Sequence, residues 1–139
     1  MFRKTLFVML LAAMCSVFFC GCDPAAIERM TKAANNTEAE EKEAKRVTKA
    51  FFEALTTGNP GTAEYYLASD AKFDREKMRD GSQVLAAMGG WEIEILDASV
   101  SGSTATVDIM MKLYGQENKK SSSCFLKKEN GTWKVVSFE

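Results

Sequence analysis

Apolar and polar positions alternate with three different rhythms along this 139-residue chain. Leu6 to Phe19 (LFVMLLAAMCSVFF) is an unbroken uncharged, strongly apolar run behind Arg3 and Lys4. Residues 23 to 36 (DPAAIERMTKAANN) are short of large apolar side chains and read as a flexible tether. From Thr37 the rhythm becomes helical. Thr37 and Glu40 have the spacing of a capping box, acids precede bases, and Ala44, Val47, Phe51, Ala54 and Leu55 make one apolar stripe ending near Gly58. Asn59-Pro60 restarts the chain as N-cap and first helical residue, which predicts a short helix over Thr62 to Leu67. A further helix is expected over Asp74 to Met88, interrupted at Asp80-Gly81 and ended by Gly89-Gly90.

Beyond Trp91 the period shortens to two. Trp91, Ile93 and Ile95 share a face, then Leu96, Ala98 and Val100 take the opposite phase, so a bulge is expected near Ile95. Ser101-Gly102-Ser103 turns the chain, and Ala105, Val107, Ile109, Met111 and Leu113 alternate over the longest strand. Two more strands, about 121–128 and 132–138, are joined through Asn130-Gly131, a strong hairpin signal. Helices followed by four meandering strands predict an α+β domain, with N-terminal helices packed on one face of a four-stranded antiparallel sheet.

The first rhythm is an address rather than part of that domain. At about 1.5 Å of rise per residue, fourteen residues cover about 21 Å, short of a hydrocarbon core of about 30 Å. A basic start, a solid apolar block and a small residue before Cys22 read as a signal peptide over residues 1–21. Phe19-Cys20-Gly21-Cys22 resembles the lipobox of bacterial lipoproteins, with Phe19 where Leu is usual. The resemblance implies cleavage before Cys22 and lipidation of its thiol. Two or three acyl chains there would anchor the protein durably, since each buried methylene contributes about 0.8 kcal/mol. The expected organisation is therefore a leader over 1–21, a lipidated cysteine and tether over 22–36, and a domain over 37–139. The expected location is the cell envelope, held at a membrane; Asp23 resembles an inner-membrane retention signal of some lineages, and inner versus outer membrane stays open.

Composition narrows the chemistry. There is no histidine, which removes the commonest metal ligand and the side chain best suited to proton transfer near neutral pH. Of four cysteines only Cys124 lies beyond residue 22, without a partner for a disulfide or a metal, so it is expected as a small buried hydrophobe. Removing Arg3 and Lys4, but no acid, from 18 bases and 19 acids leaves a net charge of −3, which excludes an electrostatic nucleic-acid footprint. No glycine loop cradles a phosphate, because Gly89-Gly90 leads into a strand.

FFEALTTGN ahead of a short helix, with GSTATVDI and LKKENGTWKVVSF in the sheet, resembles small bacterial lipoproteins carrying a lumazine-binding-like domain of unknown function. The resemblance covers about Glu41 to Glu139. It implies the nuclear transport factor 2-like, or cystatin-like, fold, in which a curved sheet wraps the helices into a cone with a pocket. Catalytic proteins of that fold use an Asp–His pair or an Asp with Tyr. The first is absent here, and Asp108, between Val107 and Ile109, is expected to face away from the interior. The expectation is a non-catalytic module without metal or cofactor, holding a small apolar ligand or an envelope protein, with Tyr65 and Tyr66 as candidate pocket residues. The alternatives are a small pocket enzyme of isomerase, dehydratase or hydrolase type using Tyr66 or Asp108, and a structural homodimer formed through the open sheet face.

Overall fold

The computed structural model describes residues 23–139, so the leader and Cys22 lie outside the described residues. Helix α1 spans Pro24–Thr56, fourteen residues earlier at its start than an N-cap at Thr37 predicts. Residues 24–36 are therefore helical, not a flexible coil. Pro24 is pre-set for a first helical position, and the Asp23 carboxylate accepts from Ala25 N at 3.1 Å. Alanines, Glu28, Arg29, Met30 and Lys32 then supply propensity where an apolar stripe is missing. This stretch is exposed throughout.

The chain divides at Asn36/Thr37, and the remainder of α1 belongs to the unit Thr37–Glu139. There α1 buries Ala44, Val47, Thr48, Phe51, Phe52, Ala54 and Leu55, the expected stripe thickened by its neighbours. Helix α2 spans Pro60–Tyr65, with Asn59 as N-cap and Pro60 in the first turn. Helix α3 spans Arg75–Ala87, and Asp74 caps it by accepting from Glu76 N and Lys77 N. It runs through Asp80-Gly81 without the interruption the sequence suggests. Hydrogen bonds from Arg79 to Glu64, 2.5 and 3.1 Å long, tie α3 to α2.

Strands β1 (Trp91–Ser101), β2 (Thr104–Leu113), β3 (Lys119–Glu129) and β4 (Thr132–Phe138) form one antiparallel sheet in chain order. The register of β1 against β2 slips between Ile95 and Ala98, which is the expected bulge. A second slip, between Phe125 and Leu126, was not expected. Asn130 and Gly131 have φ of 51° and 79°, the left-handed pair that a two-residue hairpin requires. The inward face of the sheet carries Ala105, Val107, Ile109, Cys124, Leu126, Trp133 and Val135, all buried against α1. The outer edge of β4 is covered by the chain between α2 and α3. Ala68 N donates to Val135 O at 2.8 Å and Lys72 N to Val136 O at 2.9 Å, so that edge is partnered at Val135 and Val136. Among the described residues no helix is long and apolar enough to cross a membrane.

Candidate functional site

Helix α3 carries more apolar side chain than it buries. Ser82 and Leu85 are its buried residues, and the Ser82 hydroxyl donates to Leu55 O at 2.8 Å. Val84 and Met88 remain 59% and 55% exposed. The helix stands off from the sheet, and the space between them is an open cleft of about 740 Å³, within the size range of small-molecule pockets.

Its floor is aromatic. Phe73, before α3, has its ring centroid 5.9 Å from that of Phe51 in α1 and 5.4 Å from that of Phe138 at the end of β4, and Trp91 at the start of β1 lines the same cleft. Leu55 and Leu113 complete the floor, while Met78, Val84, Leu85 and Met88 form the α3 wall. Gly81 lines the cleft, and a Cβ there would meet nothing within 4 Å. The junction that sets α3 beside β1 depends on Gly90. Its φ is +80°, and a Cβ would fall 2.3 Å from Thr56 Cγ2.

Four charged residues, Lys72, Asp74, Lys77 and Asp80, line the cleft near the start of α3. Hydrogen bonds from backbone N–H groups, Lys77 first, hold the Asp74 carboxyl below the usual carboxylate range. Lys77 Nζ stands 3.6 Å from the same carboxylate. Asp74 is thus engaged in capping α3.

The residues singled out from sequence lie elsewhere. Tyr65 is 68% exposed, with Lys134 Nζ 4.1 Å from its ring centroid and Tyr66 edge-on at 5.4 Å. Neither tyrosine lines the cleft. Asp108 is exposed, as its alternation predicts, and accepts from Ser123 Oγ at 2.8 Å. It is not part of the cleft either. Cys124 is buried, and desolvation pushes its thiol up to about 12, offset only in part by the neighbouring Thr48 hydroxyl. Among the described residues no group of three or more His, Cys, Asp or Glu side chains is placed to hold a metal. The cleft residues Phe73, Met78, Leu85 and Trp91 were not picked out from sequence as a site. A sequence signal was available in Met78, Val84, Leu85 and Met88, an apolar stripe on a helix otherwise too polar to need one.

No family model matches the sequence, and none of the curated proteins matches it. Solved structures do. A candidate NTF2-like transpeptidase from Campylobacter jejuni is 26% identical, over 66% of this chain and 95% of its own, with a TM-score of 0.53. An NTF2-like protein of unknown function from Shewanella baltica superposes at TM-score 0.56 with 15% identity, over 70% of this chain and 90% of its own. One from Methylobacillus flagellatus reaches 0.58 with 15% identity, over 70% and 86%. The fold is nuclear transport factor 2-like. The nuclear transport factor 2-like architecture accounts for the arrangement described above, in which helices line one face of a curved four-stranded sheet. In this nuclear transport factor 2-like chain the cleft lies where α3 leaves that face.

Proposed function

We propose that this protein is a cell-envelope lipoprotein, attached to a membrane through acyl chains on Cys22, whose nuclear transport factor 2-like domain holds a small apolar ligand without transforming it. The observation that carries the ligand-holding reading is the cleft itself, about 740 Å³ in volume and floored by Phe51, Phe73, Trp91 and Phe138. Burying an apolar molecule on such a floor is favourable by about 25 cal/mol per Å² of surface removed from water. A non-catalytic role is supported by the absence of histidine and by the commitment of Asp74 to capping α3. The anchoring half of the proposal is supported by the basic start, the apolar run and the resemblance of Phe19 to Cys22 to a lipobox. Resemblance to lumazine-binding-like lipoproteins agrees with the anchoring half.

Two measurements test it. Thermal unfolding of the purified protein is followed with a panel of apolar metabolites; a ligand at about 100 times its Kd contributes about 2.7 kcal/mol, a shift of many degrees in Tm for a domain of this size. A panel that leaves Tm unmoved removes the ligand-holding reading. Mass spectrometry of protein extracted from its native membrane is expected to find diacylated or triacylated Cys22 at the mature N-terminus, and an unmodified Cys22 removes the anchor.

A further inference from the structure

The cleft is polar at one end and wholly apolar at the other. Lys72, Asp74 and Lys77 lie before or within the first turn of α3 and Asp80 halfway along it, whereas Val84, Leu85 and Met88 line its last turns and Trp91 and Leu113 the strands beyond. From Lys77 to Ala87 the helix rises about 15 Å, so an extended chain laid along that wall reaches from its charged residues to its apolar ones. Its head would meet charge, its tail none.

The charges at the head end are not equivalent. Asp74 accepts from the first N–H groups of α3 and faces Lys77 Nζ, so the two side chains occupy each other. Lys72 has no carboxylate partner among the described residues, unlike Lys127 with Asp70 or Arg79 with Glu64. Its backbone is fixed, because Lys72 N donates to Val136 O at 2.9 Å. Lys72 is exposed and lines the cleft, and an ammonium beside an apolar cleft without a carboxylate partner is complementary to an anion. Asp80, halfway along the same wall, opposes a second negative charge in the head group.

We infer that the occupant is a single-chain amphiphile with a singly charged head, a fatty carboxylate, lying lengthwise with its carboxylate at Lys72 and its chain toward Met88, Trp91 and Leu113. This rests on the ligand-holding reading above, and the experiment separates the two.

Trp91 lines the cleft, whereas Trp133, the second of the two tryptophans, is 1% exposed in the core. Bromine quenches indole fluorescence only at short range, so dibromostearate below its micellar concentration reports occupancy through Trp91. Titration of the full chain is expected to quench, and Trp91→Phe to abolish most of that quenching. Lys72→Glu is expected to weaken the acid about ten-fold while leaving the uncharged methyl ester within two-fold. If acid and ester bind alike and Lys72→Glu weakens neither, the cleft still holds an apolar chain and the carboxylate assignment is overturned. If neither quenches Trp91, both the assignment and the ligand-holding reading fall.

Discussion

At the scale of single residues, two carboxylates join positions far apart in the chain. Glu129 accepts from Ser69 N at 3.0 Å, from Ser69 Oγ at 2.6 Å, and faces Lys127 Nζ at 3.1 Å. These donors, Ser69 first, pull its carboxyl from the ordinary 4.5 down to about 2. A carboxyl depressed by folding stabilises the native state above about 4.5, and that stabilisation is lost as pH falls toward about 2. Glu129→Gln is therefore expected to have a lower Tm than the wild type at pH 7. The gap should close as the pH falls below 4.5, read by thermal unfolding across a pH series. A gap independent of pH would mean that the carboxylate's charge is not what the clamp uses. Nothing in the sequence marks Glu129, because its partner Ser69 is 60 residues away. The same holds for Glu40, which accepts from Lys128 Nζ at 2.5 Å and from Trp133 Nε1 at 2.8 Å. Cys124 was legible, because burial of a thiol without partners follows from its place in an alternating strand.

At the scale of elements, legibility followed the strength of the local pattern. The strands alternate so regularly that Ala105, Val107, Ile109 and Met111 are buried where period two puts them, and Asn130-Gly131 closes its hairpin with the required positive φ values. The start of α1 was not legible, since a helix with no face to bury shows no apolar period. Gly81 misled in the opposite direction: it reads as a breaker, yet α3 passes through it. The two glycines give opposite expectations. Gly81→Ala should stabilise the protein by about 0.5–1 kcal/mol, because a helical glycine loses more backbone freedom than alanine and the space around it is empty. Gly90→Ala should cost more than the ~1–2 kcal/mol of a left-handed residue alone, because the new Cβ also falls 2.3 Å from Thr56 Cγ2. Chemical denaturation of both variants checks the signs and their order.

At the scale of the whole molecule, the fold class was legible because helices followed by a four-strand meander admit few arrangements. The cleft was not, because it is set by how far α3 stands from the sheet, and periodicity does not record that distance. Tyr65 and Tyr66 offer hydroxyls that read as ligand contacts, whereas the cavity is built from Phe51, Phe73, Trp91 and Phe138, of which the sequence pattern marks only Phe51 and Trp91, as one helix stripe and one strand face. An open apolar cleft is a cost in stability kept for use, since its lining meets water in the empty protein. Gly81→Phe sets a ring into that space from the middle of the α3 wall. The substitution is expected to raise Tm, through up to ~1.5–3 kcal/mol of apolar burial, and to abolish both ligand-induced thermal shifts and the quenching of Trp91 by dibromostearate. The paired readout matters: a variant that merely misfolds would lose binding with a lower Tm. A variant that binds as before would show that the ligand does not lie against Gly81. Gain of stability with loss of binding is the signature of a cavity held open for an occupant.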